Sequence, residues 1–335
     1  MPTRALLVHK KIVMRGFFLF GVLLISSAAW AERTPEWAYP PVPAQAPGED
    51  PTPLSVPGSA QHFRQGQIDS GYEVADWYPD EHPPMPRVVA NGGAPPLRAC
   101  AMCHLPNGNG HPESAELADL PVAYLVRQMR AFASGERTGP RAASMKPIAQ
   151  AIAEEDLLAS AAYFAQLRPT PWTRIVETET VPQTRLGLGA VRYRAAGSEI
   201  EPIGARIISV PEDDVLGERR DSHTGFVEYV PSGSVARGRA LVEQGVGGIT
   251  CATCHGRNLS GKGDIPGISG RLALVMFRGL NDIAIGDRKT AGALAMKAAV
   301  PDLTQEEMIA VAAYLGTLPP GQPASGGICP TRLPC

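Results

Sequence analysis

The sequence predicts a mainly α-helical protein: two tandem copies of one small helical unit, joined by a small β-rich insert. Three observations carry this. The chain matches itself at an offset of 151 residues with no gap, about a quarter of positions 98–168 being identical to 249–319, and self-similarity at a fixed offset marks repeated units. Apolar residues recur at helical spacing in both copies, as in Val122–Phe132 and its match Ala273–Ile283. Between the copies, β-branched runs alternate with turn residues such as Pro182, Gly197-Ser198 and Pro211.

The length of 335 residues suits about two domains. With 33 Pro and 35 Gly, about a fifth of the chain is turn chemistry, which excludes a coiled coil, a collagen and a polytopic membrane protein. Residues 1–31 read as a signal peptide. The basic residues Arg4, Lys10, Lys11 and Arg15 precede an apolar run from Phe17 to Ala28 and a small-residue site, Ala29-Trp30-Ala31. The run is shorter than the ~20 residues that span a bilayer, so cleavage before Glu32, export to the periplasm and no stable membrane anchor are expected. Beyond it, 27 basic residues face 33 acidic ones, a mildly acidic body with no electrostatic case for nucleic acid.

The remaining divisions follow in order. Residues 32–57 are Pro-rich and read as a linker or extended arm. Residues 58–168 form the first unit, with a short helix near Pro84–Ala90, one near Val122–Phe132 and a last one from about Glu154 to Leu167. Residues 169–230 read as a small antiparallel sheet with strands at Ile175–Val181, Ala190–Arg194, Ile203–Val210 and Phe226–Val230, serving as a spacer, a docking surface or a device that sets the geometry between the units. Residues 231–320 form the second unit: a helix from Ser234 to Gly245, one over Ala273–Ile283, and a last helix started by the capping-box pattern Thr304-Gln305-Glu306-Glu307. Pro169 and Pro319 stop the two last helices. The tail 321–335 holds Cys329 and Cys335, outside the repeat and expected to form a disulfide in an oxidising compartment.

The other four cysteines carry the chemistry. Cys100-Ala101-Met102-Cys103-His104 and Cys251-Ala252-Thr253-Cys254-His255 both read C-x-x-C-H. That spacing lets two thiols add to the vinyl groups of one haem and sets the adjacent histidine under the iron. A redox dithiol or half of a zinc site uses C-x-x-C alone. The immediate histidine, the two copies and the export signal select two covalently bound haem c groups. Haem iron in an electron carrier takes a sixth ligand, commonly methionine. Of the methionines beyond the signal peptide, only Met145 and Met296 are matched across the repeat, each at the same distance after its motif. The expected axial pairs are therefore His104 with Met145 and His255 with Met296. His62, His82, His111 and His223 have no repeat partner and read as surface or loop residues, one of which is able to replace a methionine in some state.

On CAMCH, CATCH, Met145, Met296 and the Ala-Ala-Tyr of both last helices, the chain resembles a class I cytochrome c present twice, over about 80–320 except the insert. Residues 75–86, ADWYPDEHPPMP, are similar to a subgroup of bacterial dihaem cytochromes. The resemblance implies that a backbone carbonyl accepts the Nδ1–H of each axial histidine: Pro266 in copy two, and in copy one Ala115 or the nearby Pro112. It also offers Arg137 and Arg288 as partners for haem propionates, with plain surface exposure an equal reading.

The leading function is a dihaem carrier passing electrons in the periplasm between a dehydrogenase and a cytochrome or oxidase. The rival is a dihaem peroxidase or thiosulfate dehydrogenase-type enzyme, which needs one iron with an open distal side. Two near-equivalent copies, each with its methionine, favour the carrier. A third reading is a subunit held in a larger dehydrogenase complex. No dinucleotide-binding glycine fingerprint or zinc-protease helix motif is present.

Overall fold

The computed structural model describes Met1 and residues 34–43, 50–299 and 303–321. The signal segment and the Cys329–Cys335 pairing lie outside the described residues. Among those residues, helices dominate. The first copy holds α1 (Gln65–Ile68), α2 (Arg87–Ala90), α3 (Cys100–His104), α4 (Val122–Ser134), α5 (Ala142–Ala151) and α6 (Glu154–Gln166). The second holds α8 (Ser234–Gln244), α9 (Cys251–His255), α10 (Ala273–Ala284), α11 (Ala291–Ala299) and α12 (Gln305–Thr317). Helix α12 starts on a full capping box: Thr304 Oγ1 accepts from Glu307 N, and Glu307 Oε2 accepts from Thr304 N. Its counterpart α6 follows Ala153 with no side-chain cap, but Glu154, Glu155 and Asp156 in its first turn complement the helix dipole.

Each copy buries its long-helix stripes in a core of its own. Val88, Val89, Leu125, Leu157, Tyr163 and Phe164 form the first. Leu274, Phe277, Met308, Ile309 and Ala312 belong to the second. A core side chain of this size contributes roughly 1.5–3 kcal/mol by leaving water. Helix α8 crosses α12 closely because Gly238 has no side chain, and a Cβ there would lie 1.9 Å from the Ala310 carbonyl oxygen.

The backbone of the two copies repeats bond by bond. Gly110 N donates to His104 O and Gly261 N to His255 O. Leu117 N donates to Gly108 O and Ile268 N to Leu259 O. Asp119 N donates to Phe164 O and Gly270 N to Leu315 O. Left-handed backbone recurs at the same offset, in Leu105 and Gly256, Gly108 and Leu259, and Gly135 and Gly286.

The insert is not the single antiparallel sheet expected. Strand β1 (Thr173–Glu177) pairs in parallel with β7 (Phe226–Val230), and β6 (Ile208–Pro211) pairs antiparallel with β7. Two short antiparallel ladders stand apart: β2 (Thr180–Pro182) with β5 (Ile200–Pro202), and β3 (Thr184–Leu186) with β4 (Arg192–Arg194). A parallel pair needs a long crossover. Residues 178–225, including α7 (Asp214–Glu218), supply it. The run Ile203–Val210 is strand only from Ile208, its earlier part continuing as loop from β5.

The Pro-rich stretch 32–57 is more than a linker. Trp37 packs at a tilt against Phe277 with ring centroids 4.6 Å apart, and Ala38 and Tyr39 are buried in the second core. Among the described residues, no helix is long and apolar enough to cross a membrane.

Candidate functional site

Helices α3 and α9 are each about one turn, which brings both thiols and the histidine of each motif together. His104 Nδ1 lies 2.7 Å from Ala115 O, and His255 Nδ1 lies 2.8 Å from Pro266 O, 11 residues on in both cases. In copy one the acceptor is therefore Ala115, and Pro112 O is taken instead by Arg278. Burial lowers the pKa of both rings, against the opposing carbonyl bonds. A neutral ring donating from Nδ1 keeps its lone pair on Nε2, the state in which imidazole binds a metal. Cys100 is half-buried, and desolvation, with Cys103 beside it, pushes its thiol up to about 12. Cys254 is exposed.

Met145 lies on α5 and Met296 on α11, both half-buried, each on the helix just before the last of its copy. Met145 packs with Met129, Phe132, Ala142 and Ala149. Neither α5 nor α11 was predicted as a helix; α5 contains Pro147, a helix-breaking signal in the sequence.

Where the copies meet, Arg137 faces its own repeat partner, Arg288. Arg137 and Arg288 bridge backbone to backbone. Thr138 N donates to Asp287 O and Lys289 N to Glu136 O, both at 2.7 Å. The side chains of Arg137 and Arg288 share one acceptor, Gln128 Oε1, each at 3.0 Å, and Arg288 also reaches Tyr124 Oη at 3.3 Å. Both arginines are half-buried, so surface exposure does not describe them. Desolvation, with Arg288 adding to it, lowers Arg137 to about 9. Burial would raise the Tyr124 hydroxyl, but the two guanidiniums outweigh it and bring it below its ordinary value. Arg288 Nε is buried without a partner among the described residues.

A reciprocal pair of ion pairs flanks this point. Arg127 meets Asp264 at 2.9 Å, and Arg278, its repeat partner, meets Glu113 at 2.9 Å. Glu113 and Asp264 were not singled out in the sequence. The signal was there: an acid at the same register in both copies, 14 residues before a matched arginine. His111, expected on the surface or in a loop, is a buried loop residue whose Nδ1 accepts from Glu113 N at 3.3 Å. His82 is wedged between Asp76 and the Pro83 carbonyl.

The family model for cytochrome c matches residues 235–319. Cytochrome c-554(548) of Halomonas halodenitrificans is 34% identical over 77 residues, 23% of this chain and 93% of that protein. The thiosulfate dehydrogenase electron acceptor of Thiomonas intermedia is 38% identical over 80 residues, 23% of this chain but only 36% of that protein. Among solved structures, reduced recombinant cytochrome c4 from Pseudomonas stutzeri aligns at 19% identity and TM-score 0.43, over 65% of this chain and 93% of that one. The thiosulfate dehydrogenase TsdBA from Marichromatium purpuratum aligns at 24% identity and TM-score 0.43, over 67% of this chain and 37% of that one.

Proposed function

The chain belongs to the cytochrome c family, and on that premise we propose that it is a periplasmic dihaem electron carrier, exported by a cleaved segment 1–31, with two tandem class I domains. Cys100, Cys103, His104 and Met145 hold one haem; Cys251, Cys254, His255 and Met296 hold the other. The observation that carries this is the duplicated constellation: two C-x-x-C-H turns, two histidines committed through Nδ1 to a carbonyl 11 residues on, and two methionines at one spacing. The residues present fit the group. Both Nε2 atoms are left to accept a metal, and Arg137 and Arg288, with the unpartnered Nε, suit propionate carboxylates. Bound haem supplies reversible one-electron chemistry at its iron.

The protein's own part is to hold the iron ligands so that little rearranges on electron transfer. The carbonyls of Ala115 and Pro266 fix the imidazole planes. His104 with Met145, and His255 with Met296, would hold each iron from both sides and leave no open position for peroxide or thiosulfate, which favours a carrier over a haem enzyme. A periplasmic dehydrogenase is the donor class, and a cytochrome or oxidase the acceptor. The likeness to a protein named as the electron acceptor of thiosulfate dehydrogenase supports that placing.

The test is a haem count and a ligand assignment on the purified protein. Pyridine haemochrome should give two haems per chain, resistant to acid–acetone. The oxidised protein should show the weak near-red band of methionine-bound iron. Met145→Ala and Met296→Ala should each remove about half of that band and lower one midpoint potential. Both single variants keeping the full band would refute the ligand set. Turnover of peroxide or thiosulfate at typical enzyme rates, about 1–1000 per second, would replace the carrier by the enzyme.

A further inference from the structure

The two motifs have the same backbone but opposite surroundings. In the first copy, Met102, Pro106 and His111 are buried. Their repeat partners in the second, Thr253, Arg257 and Lys262, are exposed. The insert makes the difference. Arg220 Nη1 donates to Met102 O at 2.7 Å, and Asn107 Nδ2 to Ser222 O at 3.0 Å. Leu105, directly after the first motif, is buried among Trp172, Val191, Tyr193 and Phe226. The cover is fastened on its far side as well. Trp77 Nε1 donates to Arg219 O at 2.8 Å, and His223 stacks on Tyr78 at 3.6 Å while reaching Glu81 at 2.7 Å. Over the second motif the insert adds no such layer. Cys254 is exposed, and Ile249 and Ile265 keep 39% and 37% of their surface.

The charge differs too. Pro106 and His111 give way to Arg257 and Lys262, while the nearest acid, Asp264, is already paired with Arg127. Among the described residues, the second motif is thus flanked by exposed isoleucines and by two cations with no acidic partner, on a chain that is acidic overall. Such a patch steers and orients an acidic partner.

We propose that the face formed by Ile249, Thr253, Cys254, Arg257, Lys262 and Ile265 is the port through which this protein exchanges electrons with a redox protein bearing an acidic rim, and that the insert closes the first motif to such partners. This rests on the dihaem reading above. One electron passes from the reduced partner, which is oxidised, to the second-copy site, which is reduced. With a haem in each site, it would then pass to the first-copy site, leaving the second free to accept another. The first site fills and empties through the second, so the chain stores two electrons behind one door.

The experiment uses the holoprotein, fully reduced, at low ionic strength. The oxidants are ferricyanide, an anion, tris(phenanthroline)cobalt(III), a cation, and an acidic cupredoxin. Each variant is first checked for two haems and an unchanged spectrum; a chain holding one haem defeats the dihaem reading itself, whatever the charge results. With both haems present, Arg257→Glu and Lys262→Glu should each slow oxidation by ferricyanide and the cupredoxin by about threefold or more, and speed that by the cobalt complex. The differences should vanish at about 0.5 M salt. Arg168→Glu, the same charge change at an exposed position after α6, should leave all three rates near wild type. Carbodiimide coupling to the cupredoxin should capture Lys262. Equal effects from Arg168→Glu, no effect from the two port variants, or coupling through other lysines with Lys262 spared would overturn the port and leave the dihaem carrier standing.

Discussion

Arg127–Asp264 and Arg278–Glu113 are the same interaction in sequence register and in length, yet they live in different media. The first is open to water, its side chains 48% and 62% exposed; the second is closed, at 7% and 4%. The closing element is segment 34–40, outside the repeat. The Ala38 carbonyl accepts from Arg278 Nε, Pro112 O accepts from Nη1, and Arg141 adds a second contact to Glu113 at 2.8 Å. A repeated unit therefore fixes which groups meet, and the chain folded over them fixes what the meeting is worth. An ion pair in water contributes little. A buried one need not stabilise either, but removing one member strands the other in a low-dielectric site.

The largest test of that contrast is to delete both arginines separately. Arg278→Ala should cost about 3–5 kcal/mol and Arg127→Ala about 0.2–1 kcal/mol, read from urea unfolding of the holoprotein. Equal costs would mean that segment 34–40 does not seclude the inner pair in solution.

A second break in equivalence is Glu116, whose repeat partner is Gly267. Its Oε1 accepts from Leu272 N at 2.6 Å, next to the start of α10, and its Oε2 is buried without a partner among the described residues. Burial raises its pKa from 4.5 to about 7, with Arg271 and the Leu272 amide opposing. Between those values the folded protein holds a proton that the unfolded chain has released. Stability from this group therefore falls as pH rises from about 4.5 through 7. The fall should reach about 3 kcal/mol by pH 8, and Glu116→Gln, which keeps the acceptor for Leu272, should flatten it. A pH profile of unfolding identical in both proteins would show that the carboxyl is not secluded.

The smallest effect concerns the roof itself. Tyr39 Oη donates to Asp282 Oδ1 at 2.6 Å and accepts from Asn281 Nδ2 at 3.0 Å. Tyr39→Phe should cost about 1–2 kcal/mol, since the buried carboxylate loses its donor. It should also raise the hydrogen exchange of segment 34–40 more than that of α12. Uniform change across both would place the hydroxyl's role in the whole core.

Local signals read well from the sequence. The capping box at Thr304, the stripes of α4 and α10 and the two motif turns are encoded within a few residues of where they act, and the repeat doubled the stripes and the turns. What could not be read depends on partners distant in sequence. The parallel pairing of β1 with β7 joins residues 53 apart, and nothing in Thr173–Glu177 names its neighbour. Trp37, Ala38 and Tyr39 sit among prolines that look like a tether, and their anchoring depends on the face of α10 that Phe277 presents. Arg137 and Arg288 were visible as a matched pair, but that they meet each other is a property of how the copies dock. The seclusion of the first motif was hidden for the same reason, because its cover lies more than 60 residues downstream.

The docking of residue 137 on residue 288, with 136 on 289 and 138 on 287, has the form of a two-fold symmetric dimer contact drawn within one polypeptide. Two free chains meeting this way would have to hold together by affinity. Here the folded insert joins them in one chain, which makes their meeting intramolecular. The halves meet through the water-exposed Arg127–Asp264 pair and through buried contacts such as Arg278 to Glu113 and Arg271 to the Ala118 carbonyl. Fusion also frees the halves from having to be identical. A change in a true dimer strikes both sides of the axis at once, whereas here one side has kept Asp264 in water and the other has Glu113 under a roof. Cutting the chain within the insert would restore the dimer's terms, and the association of the halves would then depend on their concentration.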